Sequence, residues 1–172
     1  MIHTMMRVLF ALIALALGHS AWTATETKLS GNDRHFITQA GEDGLAEVEL
    51  ARLAQQNASS AEIKQFGQRM ADDHVKANQE LAALATKLGV SAPAQPGGKH
   101  ASDVKKFARL VGPKFDHEYA EHMVKGHEKA IGLFEKQARK GDAEELKQFA
   151  AKTLPMLQAH LKLARSLTAQ KK

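Results

Sequence analysis

From about residue 32 onward, apolar residues recur at intervals of three and four, the spacing that keeps side chains on one face of an α-helix. Ala, Leu, Glu, Lys and Gln dominate and β-branched residues are sparse, which favours helix on intrinsic grounds as well. The pattern predicts four long helices, each of roughly 26 to 30 residues and ~40 Å. The first runs from about Asn32 to Asn57. The second opens at Ser59-x-x-Glu62, where the serine oxygen and the glutamate carboxyl can satisfy each other's free amide groups, and stops at Gly89. Its seam reads Ile63, Phe66, Met70, His74, Ala77, Leu81, Leu84, Leu88. The third follows Gly112, has Pro113 in its first turn, stops at Gly141 and carries Phe115, Tyr119, Met123, His127, Ala130 and Phe134 on its seam. The fourth starts at Asp142, with Glu145 three residues on, and runs to about Gln170. Its seam is Leu146, Phe149, Thr153, Leu157, His160, Ala164 and Leu167, with Met156 at the edge.

The connections decide how these helices are arranged. Tight turns join the first to the second and the third to the fourth, so each pair must be antiparallel neighbours. Between the second and third lies a Pro/Gly-rich run from Gly89 to His100, then a short helical stretch from about Ser102 to Leu110. A link of about 24 residues can travel the whole bundle and start the third helix at the far end. The expected fold is therefore all-α, a ferritin-like four-helix bundle with a long crossover containing a short helix, and residues 24–172 form that single domain. A plain up-down-up-down bundle is the alternative. Pro155 should kink the last helix by removing one ladder hydrogen bond and crowding the Ala151 carbonyl. Such a kink could aim His160 inward, or simply let the helix curve around its neighbours.

Composition narrows the chemistry. In 172 residues there is no cysteine, which excludes disulfides, thiolate zinc or iron–sulfur sites and cysteine nucleophiles. The length suits one domain and excludes a multidomain enzyme. The net charge is +5, but basic and acidic residues are interspersed and the few aromatics fall at core spacing, so nucleic-acid binding is not expected. Residues 1–23 place Arg7 before an apolar run, Val8 to Leu17, and then small and polar residues, the plan of a cleaved signal peptide; the run is short for a membrane span. The protein is expected to be exported, to the periplasm or beyond.

The polar residues on the seams carry the functional reading. Beyond residue 23 the chain has three methionines, and each stands four residues before a histidine: Met70 and His74, Met123 and His127, Met156 and His160. Four residues is one helical turn, so each pair shares a face, and the pairs lie on three different helices. Thioether and imidazole are ligands that work uncharged, so they can meet in a low-dielectric core without the desolvation penalty of clustered carboxylates. Counted from the common end, His74 and His127 fall about thirteen or fourteen residues deep, Met156 at about that depth and His160 one turn away. Glu47 faces inward near the same level, whereas Glu49 turns to the solvated side. Asp73 could orient an imidazole, and Tyr119 is placed to touch the ligands from outside. Of the other histidines, His122 is an edge ligand candidate, and His35 and His100 are expected in solvent. No histidine has Asp or Glu three residues before it, so the Glu-x-x-His pair of a di-iron bundle is missing and no di-iron centre is expected. Sulfur with imidazole favours copper, while three histidines with Glu47 also suit zinc.

The blocks Asp33-Arg-His-Phe-Ile, Gly44-Leu-Ala-Glu-Val-Glu-Leu, Phe66-Gly-Gln-Arg-Met-Ala-Asp-Asp-His74, Met123-Val-Lys-Gly-His127-Glu-Lys and Leu154-Pro-Met-Leu-Gln-Ala-His160-Leu together resemble the exported bacterial family called domain of unknown function 4142. The resemblance spans nearly the whole chain after the leader. It implies a ferritin-like four-helix bundle, and it implies a shared polar site at His74, His127, His160 and the Glu47/Glu49 pair; it implies no activity.

Two functions follow as expectations. One is a metal-binding bundle in which the three histidines, Glu47 and the three methionines hold one copper or zinc ion for buffering or stress protection, without need of catalysis. The other is a non-enzymatic envelope scaffold with a structural or pH-sensitive histidine cluster. Its basic face, including Lys147, Lys152, Lys162 and Arg165, would make weak contact with a protein partner or an anionic envelope surface.

Overall fold

The structure is a computed structural model and describes residues 29–169. The leader expected over residues 1–23 lies outside the described residues. Five helices follow one another, α1 (Gly31–Asn57), α2 (Ala61–Lys87), α3 (Gly98–Phe107), α4 (Gly112–Lys140) and α5 (Glu144–Ala169), with no strand among the described residues. The four long helices are those the periodicity predicts, and α3 is the short helix of the crossover.

Two buried aspartates establish the arrangement. Asp116, at the start of α4, accepts hydrogen bonds from the Ser59 and Ser60 amides, 3.0 Å each, and from the Ser59 hydroxyl. Asp33, at the start of α1, accepts from the Asp142 and Ala143 amides, at 3.3 and 3.0 Å, and from the Gln137 side chain at 2.7 Å. The first group brings the beginning of α4 to the α1–α2 turn. The second brings the beginning of α1 to the α4–α5 turn, at the opposite end. Hence α2 and α4 run the same way and the connectivity is up-down-down-up, not the plain alternative. The bonding pattern also repeats along the chain. Asp33 and Asp116 stand 83 residues apart, as do Ser59 and Asp142, and Ser60 and Ala143, and in each group the first amide meets Oδ1 and the second Oδ2.

These bonds also correct the helix starts. Ser60, not Ser59, caps α2: its Oγ accepts from the Ile63 amide and donates to Glu62, while Ser59 is committed to Asp116. α5 begins at Glu144 rather than Asp142, because the Asp142 and Ala143 amides are held by Asp33. α3 begins at Gly98 rather than Ser102. Gly97, where a Cβ would collide with the Glu42 carboxylate, lets the crossover lie against α1, and Gly98 takes φ +36°. Pro155 lies on the exposed side of α5, which continues through it.

Two apolar clusters fill the interior. Toward the α1–α2 turn, Ile63, Phe66, Met70, Phe107, Phe115, Tyr119 and Met123 pack with Leu50. Toward the other end, Phe36 packs edge-to-face against Phe134 and Phe149, in a cluster with Ile37, Leu81, Leu146 and Leu157. Between the clusters lies a polar layer.

Candidate metal centre

That layer is made by His74 on α2, His127 on α4 and His160 on α5. Each sits on an apolar seam one turn from aliphatic or aromatic residues, so burying the seam buries the ring, and the three are 6%, 1% and 0% exposed. The ring centroids are 5.5 to 5.8 Å apart, and one ring nitrogen of each lies within 4.8 Å of those of the other two. Among the described residues no other three His, Asp or Glu side chains meet so closely.

The hydrogen bonds define which nitrogens are free. His127 Nδ1 is 2.9 Å from the Met123 carbonyl, which can only accept, so the proton is on Nδ1 and Nε2 keeps its lone pair. His160 Nε2 is 2.9 Å from Asp73 Oδ2, which leaves Nδ1 as the free atom. His127 Nε2, His160 Nδ1 and His74 Nε2 are all shut off from solvent and without a hydrogen-bond partner. The remaining side-chain atoms in that condition among the described residues are Glu47 Oε2 and the Tyr119 hydroxyl. Buried polar atoms are ordinarily paired, so five unpaired ones among the buried side chains set this layer apart from the rest of the interior.

Electrostatics keep the layer uncharged. Burial, reinforced by His127 and His160, pushes the His74 pKa well below 6.5. Burial and the nearby His160 lower that of His127 to about 4, against the pull of the Met123 carbonyl. Burial lowers His160 as well, although Asp73 opposes it. Burial and the neighbouring Asp43 raise the Glu47 carboxyl to about 8, and burial with the Glu47 charge raises the Tyr119 phenol well above its usual value. Neutral imidazoles, each with a free ring nitrogen, are the form in which histidine binds a metal. A triangle of side 4.8 Å has its centre about 2.8 Å from each corner, against about 2.0–2.1 Å for a zinc–nitrogen bond, so small ring movements would complete a three-nitrogen site.

The other expected residues divide. Glu47 is half-buried as a residue, with Oε2 sealed, and Gly126 makes room for it: a Cβ there would stand 3.2 Å from Glu47 Oε1. Glu47, His74 and His127 line a cavity of about 40 Å³ together with Met156, Thr153 and Phe149. Glu49 is exposed. Asp73 touches His160, and Arg69 stands 3.6 Å behind it. The depth count needs one correction: His160, not Met156, stands level with His74 and His127. Nine residues separate His160 from Ala169, the last described residue of α5, against thirteen from the start of α2 to His74, so equal depth cannot be counted from equal helix ends. Because α5 runs against α2 and α4, Met70 and Met123 fall on one side of the imidazoles, inside the aromatic cluster, and Met156 on the other, beside the cavity.

Two further corrections concern the outlying residues. His100 is not simply solvated: its Nδ1 is 3.2 Å from Asp43 Oδ1, in a cleft under α3. His122 packs its ring 5.0 Å from that of Phe107 and lines the same cleft. The path of the crossover, which periodicity cannot reveal, creates both placements. On the basic face of α5, Lys147, Lys152 and Arg165 are each in an ion pair, with Glu144, Glu80 and Glu128.

Fold and polar layer together define an all-α, ferritin-like four-helix bundle with a histidine centre in its core. The chain belongs to the family described as Domain of unknown function (DUF4142), whose model matches residues 19–167. No curated protein matches it. Among solved structures, a DUF305 fragment from Deinococcus radiodurans superposes with a TM-score of 0.72 at 9% identity, over 83% of this chain and 98% of that one. CopM in its Cu(II)-bound form gives 0.69 at 16% identity, over 82% of this chain and 97% of that one. The Cu(I)-bound form of CopM gives 0.67 at 16% identity, over 81% and 96%. At these identities the likeness is one of fold.

Proposed function

We propose that this protein is an exported metal-binding bundle that holds one copper or zinc ion at His74, His127 and His160 and serves in metal buffering or stress protection. The observation that carries the reading is the meeting of three buried imidazoles, one from each of three helices, with a ring nitrogen of each within 4.8 Å of the others and one buried nitrogen on each ring without a hydrogen-bond partner. Glu47 supplies an oxygen donor from α1, and Met156 a thioether from the far side of the cavity. Asp73 holds the His160 ring from outside, the role that carboxylates commonly play behind a ligating histidine. Copper is the better fit: the CopM structures of similar fold are in Cu(II)- and Cu(I)-bound forms, and soft sulfur beside imidazole suits both oxidation states. No step requires catalysis.

Titration of the purified protein with copper(II), and separately with zinc(II), tests this. One equivalent is expected to bind, with affinity falling at least roughly a hundredfold in His74→Ala. Absence of stoichiometric binding, or binding indifferent to that substitution, refutes the reading.

A further inference from the structure

Outside the core, the crossover roofs a cleft of about 450 Å³ between α1, α3 and α4. Its wall brings together His35 and Asp43 of α1, His100 and Asp103 of α3, and His122 of α4. Seven histidines lie beyond residue 23; three form the core layer and three more line this cleft, leaving only His117 elsewhere. The cleft and the inner cavity have three residues in common, Asp43, Glu47 and Gly126. Glu47 is thus the partition between them, with its unpartnered Oε2 sealed from solvent and Oε1 beside the side-chain-free Gly126.

We infer that this cleft is the port through which a metal ion reaches the histidine centre, first met by His100, Asp43 and His122 and handed inward by Glu47 past Gly126. The inference rests on the proposed metal function and adds a route to it. Two features support a port rather than a second store, and a third makes it testable. The cleft offers nitrogen and oxygen donors, but among the described residues no three of its His, Asp or Glu groups come within the 4.8 Å that the core histidines achieve, so an ion would be held there loosely. Loose holding is what passage requires. Glycine at 126 leaves the space beside the partition open, where any side chain would press on the Glu47 carboxylate. Finally, Lys125 and Lys129 also line the cleft, and Lys129 lies near enough to Asp43 to act on its charge. Cations beside the route set a barrier to an incoming cation and make its charge a readable property.

Stopped-flow loading of the full protein with copper(II), delivered from a weak amino-acid chelate, tests the port, with equilibrium titrations beside it. His100→Gln with His122→Gln is expected to slow loading roughly tenfold, and Lys125→Gln with Lys129→Gln to speed it severalfold, both with the one-to-one stoichiometry and affinity of the wild type. Loading of the histidine pair at the wild-type rate, or slowing matched by an equal loss of equilibrium affinity, overturns the port. Should the histidine pair fail to fold, the lysine pair decides, and its loading at the wild-type rate overturns the port equally. A wild-type protein that binds no copper at all overturns the underlying metal function instead, so the two failures are distinguishable.

Discussion

Two kinds of buried polar group occupy this bundle, and they are treated in opposite ways. At the ends, Asp33 and Asp116 are 1% and 2% exposed, yet each accepts hydrogen bonds from a turn of the other hairpin, and Asp33 from Gln137 of α4 as well. Burial alone would raise the Asp33 carboxyl, but donors from Gln137, Ser30, Ala143 and Asp142 outweigh it and hold the pKa below its usual value. In the middle, His74, His127, His160, Glu47 and Tyr119 each keep an unpartnered buried atom, and burial drives their pKa values away from the charged form. The ends are satisfied by the protein's own donors, whereas the middle keeps buried atoms without a protein partner. Satisfaction of polar atoms, more than burial, separates the groups that hold the fold from those available for chemistry.

The largest effect expected from this contrast is at the ends. Asp116→Ala leaves two amides and a hydroxyl without their acceptor, and should destabilise the protein by about 4 kcal/mol in urea unfolding, equally with and without added metal. A loss that appears only in the presence of metal would erase the distinction. In the middle, His127 binds its proton below its unfolded value, so its neutral form supports the fold above pH 6.5 and that support is lost as pH falls toward about 4. Between pH 7 and pH 4, metal-free wild type should lose about 3 kcal/mol relative to metal-free His127→Leu, measured by unfolding at each pH. Glu47 has the opposite sign. Its folded pKa of about 8 means that stability is full below about 4.5 and is lost as pH rises through 8. Metal-free Glu47→Gln should therefore gain on wild type by about 2 kcal/mol between pH 4.5 and pH 8, the side chain being only half-buried. The smallest effect belongs to the group between the two classes. Asp73→Asn should weaken copper or zinc binding by roughly tenfold, seen in competition with a chelator, with little change in unfolding of the metal-free protein.

How far the sequence could be read follows the range of the forces involved. Helix periodicity is local, so the seams of α2, α4 and α5 could be read residue by residue, His74, His127 and His160 included. Their meeting at one level followed from counting turns, and the count erred by one turn at Met156 because a helix end was assumed level with its neighbour's start. Asp33 and Asp116 cannot be read as ties from the sequence because their partners are 56 to 110 positions away. A signal was present all the same: Asp116 follows the fully buried Phe115 on the seam side of α4, where a charge needs a partner. The outer cleft could not be read, since it exists only where the Pro/Gly-rich crossover lies against α1. Gly41, which would press a Cβ into Pro93, and Gly97, packed on Glu42, record that contact, but neither names its partner in sequence.

The mirrored aspartate ties have a consequence for how the chain folds. Each helical hairpin begins with the acceptor that finishes the other hairpin's bend, so neither half can assemble a complete loop by itself. An isolated half would leave the amide donors at its bend and its aspartate carboxylate to water instead of to their partners in the other half. The ties couple the ordering of the two halves, and fragments made by severing the chain in the crossover are expected to gain helicity on mixing, read by circular dichroism.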